Sequence, residues 1–276
     1  MDAGAAISLD DVDVGYGGAP VQSGIRAEIH RGEIFAIVGD SGSGKSTLLK
    51  TMIGLIAPLR GSVRLAGTPL AEHMARGAPP FGVLFQNGAL WTSMTVEENV
   101  MLPMELHRDS TGAERRALAR FKLGLVGLAG HEQRYPASLS GGMRKRAALA
   151  RALALDPGVL FLDEPSAGLD PLTSRRLDRL VTDLRDGLGI TVVLVTHELE
   201  SLYSIADRML FLDGEVHRPV ALGAPAELAR HAESAKVRDF LRPRTATRTA
   251  RPEGCIGAPG RSRARMPEHP PGRVVQ

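Results

Sequence analysis

The chain has 276 residues, of which 43% are hydrophobic and 24% are charged, and these values exclude a fibrous chain or one that is disordered throughout. The net charge of +3 is uneven: residues 242–276 hold eight arginines against two glutamates, so the rest of the chain is net negative and no basic nucleic-acid-binding domain is predicted. No apolar run approaches the roughly 18 residues that a membrane-spanning helix needs. No secretory signal is visible, and the single cysteine, Cys255, is typical of a reducing compartment, so we expect a cytosolic protein.

Two kinds of strand are predicted along the chain. Alternating apolar residues between positions 9 and 29 predict a half-covered antiparallel layer. Short, continuously apolar runs predict parallel strands that are buried on both faces, and these runs are residues 34–38, 159–162 and 191–195.

Helical patterns lie between these strands. They occur at residues 48–53 and 177–184, and the stretch 87–150, which lacks strand-like runs, predicts a helical subdomain. The alternation of strands and helices predicts an α/β fold over residues 1–241. Residues 242–276, with six prolines and few large apolar side chains, predict a disordered tail.

A glycine-rich loop follows the first buried strand and precedes a helix. Residues 39–46 read Gly-Asp-Ser-Gly-Ser-Gly-Lys-Ser, which is the phosphate-binding pattern in the context that this pattern requires. Backbone N–H groups of such a loop cradle phosphate oxygens, and the helix adds its positive end. Lys45 is predicted to contact the β- and γ-phosphates and Ser46 to bind Mg²⁺. The predicted nucleotide-binding residues here are Gly39, Ser41, Gly42, Ser43, Gly44, Lys45, Ser46 and Thr47.

Polar residues follow two of the other predicted parallel strands, at the sheet edge where open α/β sheets bind ligands. Asp163 and Glu164 come after the strand 159–162, and His197 comes after the strand 191–195. We predict that Asp163 holds Mg²⁺ through water and that Glu164 polarises the attacking water as general base. His197 is predicted to contact the γ-phosphate.

For two further residues the sequence alone allows both a functional and a structural interpretation. Gln86, after Val83-Leu84-Phe85, has a side-chain oxygen that could bind Mg²⁺ or the attacking water, or could do neither. Tyr16, in Gly15-Tyr16-Gly17, could stack on a base or could pack within a strand.

A second glycine-rich helix start lies at residues 139–143, which read Leu-Ser-Gly-Gly-Met. The start of a helix is an anion site, and one nucleotide does not need two such sites from one chain. We therefore predict that Ser140, Gly141 and Gly142 contact the nucleotide of a second copy, in a head-to-tail pair around two ATP molecules. The alternative is a Ser-Gly helix start with no ligand.

Together these segments resemble the nucleotide-binding subunits of ABC transporters over about residues 7–240. The resemblance implies an ABC-type P-loop NTPase with a RecA-like core, an antiparallel β subdomain and a helical subdomain. It also implies ATP hydrolysis with ATP and Mg²⁺ as cofactors. By this resemblance, residues 39–46 are the Walker A loop, Asp163 and Glu164 end Walker B, 139–143 are the signature, Asp170 ends the D-loop 167–170, Tyr16 stacks on adenine, Gln86 is the Q-loop residue and His197 is the switch histidine.

Within that superfamily the sequence is most similar to those of the Mla/Mce-associated ATPases, which energise phospholipid movement between bacterial membranes. Three features carry this likeness: residues 85–100, Met143 where most signatures have glutamine, and residues 197–208. Ala167 stands where the D-loop usually has serine, and the tail carries no matching motif.

The resemblance further implies a peripheral subunit on the cytoplasmic face of the inner membrane. It would drive a separate permease that docks near residues 87–105, with a substrate-binding, Mce-type protein as a further partner and no nucleic acid. The alternative in the same class is the ATPase of an amino-acid or other small-solute importer. A rival from another class is a soluble ABC ATPase that acts on nucleic acid, ribosomes or cofactor assembly, but such proteins usually have tandem cassettes or a coiled-coil insertion, and this sequence shows neither.

Overall fold

Two β-sheets organise the chain. The structure, a computed structural model, describes residues 4–77 and 79–242, so the predicted tail lies outside the described residues except for Arg242. The strands are β1 (Ala5–Tyr16), β2 (Ala19–His30), β3 (Ile34–Gly39), β4 (Arg60–Leu65), β5 (Thr68–Pro69), β6 (Phe81–Leu84), β7 (Val159–Asp163), β8 (Thr191–Val195), β9 (Arg208–Asp213) and β10 (Arg218–Gly223). The first sheet has the order β2-β1-β4-β5, and the second has the order β10-β9-β3-β8-β7-β6.

The helices begin and end where capping residues allow. Thr95 and Thr111 form capping boxes, and Asp170 with Pro171 starts the longest helix, which stops at the left-handed Gly189. Within residues 4–77 and 79–242, no helix combines the length and the apolar character that crossing a bilayer requires. The helices are α1 (Lys45–Met52), α2 (Leu70–Ala75), α3 (Val96–His107), α4 (Gly112–Leu125), α5 (Gly141–Ala152), α6 (Pro171–Leu188), α7 (Leu199–Ile205), α8 (Pro225–His231) and α9 (Ala235–Leu241).

The predicted α/β class is confirmed by the packing of the two sheets. β1 and β2 pair antiparallel, and β3 lies parallel to both β8 and β9. Every residue of β3 is buried. Phe35 and Ile37 pack in the same cluster as α1 and the first sheet, whereas Ala36 and Val38 pack in a second cluster with α7 and α9. A strand covered on both faces needs apolar residues at every position, which explains the continuous run.

The parallel pairing brings four strand ends to one edge of the second sheet. β6 pairs with β7, β7 with β8, and β8 with β3, all in parallel. Their carboxyl ends lead into the glycine-rich loop after β3, Gln86 after β6, Glu164 after β7 and His197 after β8. The fold therefore collects the predicted site residues at this edge.

Strand β6 and helix α5 approach each other closely at Gly82. A Cβ added there would lie 2.1 Å from the carbonyl oxygen of Ala152 and 2.8 Å from Cδ2 of Leu160. Neither the backbone of α5 nor the neighbouring strand β7 can withdraw freely, because Ala150 and Leu160 are buried. The glycine is therefore required for α5 to pack on β6.

We expect Gly82→Ala to lower the free energy of unfolding by about 2 to 3 kcal/mol, because the added methyl forces β6 and α5 apart. Urea denaturation measures this loss. Gly187→Ala in α6 is the matched control, since a Cβ there meets nothing within 4 Å. The control should be neutral or more stable by about 0.5 kcal/mol. Equal effects of the two substitutions would contradict the close approach at Gly82.

Candidate nucleotide-binding and hydrolysis site

The glycine-rich loop between β3 and α1 has the backbone that its glycines permit. Gly39, Gly42 and Gly44 have φ values of +147°, +79° and +87°, in the region that disfavours side chains. A Cβ at Gly39 would also lie 2.2 Å from the carbonyl oxygen of Leu212. Helix α1 starts at Lys45. Its N-cap residue is Gly44, which has no side chain, so α1 has no side-chain cap hydrogen bond from that position. The first N–H groups of α1 are therefore suited to an external anion.

A cavity of about 660 Å³ lies over this loop. Its size falls within the range of about 300 to 1,000 Å³ that is typical of sites for small molecules and cofactors. It brings the phosphate-loop residues together with two residues from other strands. The cavity is lined by Val21, Gly39, Ser41, Gly42, Gly44, Lys45, Ser46, Thr47, Glu164 and His197.

Lys45 points its ammonium back onto the loop. Its Nζ donates to the carbonyl oxygens of Gly39 at 2.9 Å and Asp40 at 2.6 Å. Burial lowers the pKa of Lys45, and the carboxylates of Glu164, Asp40 and Asp163 oppose that shift. A phosphate group offers the ammonium a charged acceptor in place of neutral carbonyls, and such charge-assisted hydrogen bonds are stronger.

Glu164 is held between the other two predicted catalytic residues. Gln86 Nε2 donates to Glu164 Oε2 at 2.8 Å, and His197 Nδ1 lies 3.1 Å from Glu164 Oε1. Glu164 has a φ of +45°, an unfavourable value for a residue with a side chain. Because such strain is concentrated at functional sites, it supports a role for this residue beyond packing.

Asp163 ends β7 beside Glu164. Burial raises the pKa of Asp163, as does the neighbouring Glu164, whereas Lys50, Lys145 and Lys45 oppose that rise. Bringing a cation to this position stabilises the ionised form of the carboxylate. The predicted Mg²⁺ ligands Ser46, Gln86 and Asp163 supply hydroxyl, amide and carboxylate oxygens, which suit a hard cation that also binds nucleotide phosphates.

Comparison with known proteins decides the family. A sequence model described as "ABC transporter" matches residues 23–167. The chain belongs to the ABC transporter family, as an ATP-binding subunit. Its enzymatic activity is ATP hydrolysis, and its cofactors are ATP and Mg²⁺.

Relatives of this ABC ATPase have names that differ in cargo. The probable ribonucleotide transport ATP-binding protein Mkl of Mycobacterium leprae is 37% identical over 245 residues, which are 87% of this chain and 70% of that protein. The methionine import ATP-binding protein MetN of Caulobacter vibrioides is 38% identical over 252 residues, which are 89% of this chain and 75% of that protein.

Two solved structures share the fold. CbiO1 of Clostridium perfringens, part of the ABC transporter complex CbiONQ, superposes with a TM-score of 0.74 at 27% identity and covers 82% of this chain and 90% of its own. The ATP-binding cassette MJ0796, solved as a dimer in a post-hydrolysis state with ADP and Pi, has a TM-score of 0.71 at 30% identity and covers 79% of this chain and 98% of its own.

The residues of this ABC ATPase fit the nucleotide and its metal. The uncapped start of α1, the left-handed glycines and the cavity over them form a cradle that side chains would fill. When bound, Mg²⁺ would supply positive charge that stabilises the phosphate oxygens during hydrolysis. The chain itself places the Lys45 ammonium against the loop and the Glu164 carboxylate within hydrogen-bond reach of Gln86 and His197.

Six residues that we predicted to contact nucleotide do not line this cavity. Ser43 belongs to the phosphate loop but is fully buried. Tyr16 ends β1 and is 54% exposed. Ser140 caps α5 and accepts a hydrogen bond from the Met143 N–H at 3.3 Å. The remaining three lie at the starts of α5 and α6. A Cβ at Gly141 or Gly142 would meet the side chains of Leu169 and Thr173, and Asp170 Oδ1 caps α6.

Lys145 in helix α5 was not predicted from the sequence as a residue of this site. The residue is only 7% exposed, and its Nζ donates to the carbonyl oxygens of Gln86 and Glu164. Burial lowers the pKa of Lys145, and Asp163 and Glu164 oppose that shift. A signal was present, because Ala148 and Leu149 continue the same helix face and both are buried. Because Lys145 lies between Arg144 and Arg146, the three residues have the pattern of an exposed, charged surface, and the buried face was not recognised.

Proposed function

We propose that this ABC ATPase binds Mg-ATP through residues 39–47, with Mg²⁺ at Ser46, Gln86 and Asp163, and hydrolyses it with Glu164 as general base. The single observation that carries this proposal is the Glu164 carboxylate, which contacts both Gln86 and His197 at the mouth of the phosphate-loop cavity. Gln86 and His197 orient the carboxylate, and the carboxylate takes a proton from the attacking water.

The second part of the proposal is a head-to-tail dimer. Ser140, Gly141 and Gly142 start a helix but do not line the cavity of their own chain. Ser140 is exposed at that helix start, so the backbone N–H groups of the first turn of α5 can reach an anion held by a second copy. Asp170 and Tyr16, which are also exposed, are proposed to contact nucleotide within the assembled pair. The dimeric cassette MJ0796 supports this arrangement by analogy.

The third part concerns the membrane partner. An apolar groove of about 310 Å³ lies between β6 and α3, immediately before Gln86. Leu106 at its edge is 69% exposed, and Arg151 of α5 holds the following loop through the carbonyl oxygens of Gly88 and Ala89. We propose that a helix of a separate permease docks here and places the ATPase on the cytoplasmic face of the inner membrane. The groove is lined by Phe85, Leu102, Pro103, Leu106, His107 and Arg151, among others.

Leu106→Glu should reduce co-purification with the permease about tenfold, because a charge would be buried in the docked groove. Affinity capture of the tagged subunit from detergent-solubilised membranes measures this. Leu188→Glu is the matched control, since Leu188 is also an exposed helix-terminal leucine but lies on α6 outside the groove. Equal capture of both variants would place the permease elsewhere.

The proposed cargo is phospholipid, moved between bacterial membranes with the help of an Mce-type protein. This proposal is supported by the resemblance of residues 85–100, Met143 and residues 197–208 to the sequences of the Mla/Mce-associated ATPases. The second candidate is a small-solute importer, which is favoured by relatives named for methionine import that are up to 41% identical. Reconstitution of the ATPase with its co-purified permease distinguishes them. ATP-dependent transfer of phospholipid between vesicles would support phospholipid as the cargo. ATP turnover that an amino acid stimulates, with no lipid transfer, would refute phospholipid as the cargo.

A further inference from the structure

Lys236 of the C-terminal helix α9 contacts the phosphate loop. Its Nζ lies 2.7 Å from Asp40 Oδ2, and Asp40 is the second residue of that loop. The same Nζ lies 2.9 Å from Oδ1 of Asp213, the last residue of β9, and 3.1 Å from Oε1 of Glu215 in the turn between β9 and β10. These three carboxylates raise the pKa of Lys236, so it remains a cation. One ammonium therefore joins the last helix, a turn and the loop.

The turn that Lys236 holds packs directly on the phosphate loop. A Cβ at Gly214 would lie 3.4 Å from Cα of Ser43, and Gln22 Nε2 donates to the carbonyl oxygen of Asp213 at 2.7 Å. The helix itself is anchored, because Val237 and Leu241 of α9 are buried in the cluster that contains Ala36 of β3. Lys236 is thus presented from a fixed position and is only 28% exposed.

Asp40 is an unfavourable residue for a loop that holds a polyanion. Its charge reaches the phosphate-binding lysine, because it is one of the carboxylates that raise the pKa of Lys45. A negative charge in the phosphate loop repels a bound polyanion, and at a partly buried position that repulsion is screened less than in bulk water. Some positive charge must compensate for Asp40 if the loop is to bind nucleotide tightly.

We propose that Lys236 is a positioning residue for ATP binding, which fixes Asp40 and the β9–β10 turn and neutralises the charge that Asp40 places beside the triphosphate. The inference rests on the proposed role of residues 39–47. It assigns a function in the nucleotide site to helix α9, which lies 196 residues beyond Asp40 in the sequence. The alternative is that Lys236 only docks α9 on the turn.

The test measures ATP affinity directly, without Mg²⁺, by fluorescence titration with a labelled ATP analogue and competition by ATP. Lys236→Met should weaken binding about tenfold, and the loss should shrink as salt rises. Adding Asp40→Asn to Lys236→Met should restore most of the affinity, because the uncompensated charge is gone. With Mg²⁺, the KM for ATP should change more than kcat. Lys236→Arg should retain native affinity.

Arg242→Met is the matched control, since Arg242 follows the same helix but pairs with Asp239 and not with the loop. Thermal unfolding without nucleotide reports on the fold of each variant. If Lys236→Met does not fold, Asp40→Asn in the native background still tests the proposal, and it should bind ATP about two- to threefold more tightly. Weaker binding by Asp40→Asn, or no rescue in the double variant, would overturn the role of Lys236.

Lys45→Met separates this inference from the proposed function. Loss of ATP binding in that variant, together with unchanged binding in Lys236→Met, would refute only the role of Lys236. Native affinity in Lys45→Met would refute the assignment of the phosphate loop, and the role of Lys236 would fall with it.

Discussion

Glu164→Gln should lower kcat for ATP hydrolysis about a thousandfold while ATP still binds. The glutamine side chain has the same size and can keep a hydrogen bond to His197 or Gln86, which contact the two carboxylate oxygens at 3.1 and 2.8 Å. An amide cannot accept the proton of the attacking water. The proposed phosphate contacts of Lys45 and the loop should be unaffected, so the nucleotide should remain bound and hold the two copies together.

Phosphate release under single-turnover conditions measures the chemical step, and gel filtration with ATP measures the trapped dimer. Glu200→Gln is the control, because Glu200 is an exposed carboxylate that pairs with Arg175 and lies outside the cavity. It should hydrolyse ATP normally. Near-normal hydrolysis by Glu164→Gln would remove Glu164 from the role of general base.

Ser140→Arg should reduce turnover about a hundredfold, because it displaces the partner's nucleotide from the start of α5. The new side chain must project outward, since Gly141 and Gly142 beside it pack against Leu169 and Thr173. Bulk and charge would therefore stand where a second copy has to approach. In the Glu164→Gln background, Ser140→Arg should also abolish the ATP-dependent dimer.

Two controls isolate the effect of the arginine. Ser140→Ala removes the hydroxyl, and with it the hydrogen bond from the Met143 N–H, without adding bulk or charge; it should cost about 1 kcal/mol of stability. Ala137→Arg places the same charge on the exposed segment that precedes α5. If Ser140→Arg hydrolyses ATP as fast as Ala137→Arg does, the head-to-tail arrangement is wrong.

Much of the site follows from short-range patterns in the sequence. Strands β3, β7 and β8 are buried over nearly their whole length, so they consist of nearly continuous apolar runs that are easy to identify. Parallel strands end at one edge, which is why Glu164 and His197 could be placed together before any contact was known. The glycines of residues 39–46 have positive φ angles, which glycine adopts without strain.

The contacts that the sequence did not predict join distant segments. Lys145 reaches the Gln86 carbonyl across 59 residues, and Lys236 reaches Asp40 across 196. Strand β9 was also missed, although Met209, Leu210, Phe211 and Leu212 are buried. A lysine next to arginines has the pattern of a solvated surface, and only tertiary packing decides which cation is buried. Periodicity carries no information about such partners.

Helix α5 has a consequence for the assembled pair. Ser140, which is proposed to contact the partner's nucleotide, caps its start, and five residues later Lys145 donates hydrogen bonds to the backbone of Gln86 and Glu164 in its own chain. If the start of α5 contacts the partner's nucleotide as proposed, a movement of that end of the helix also shifts Lys145 and the backbone that it holds beside Glu164. Turnover should accordingly rise sigmoidally with ATP concentration, as expected of two active centres that sense each other's occupancy.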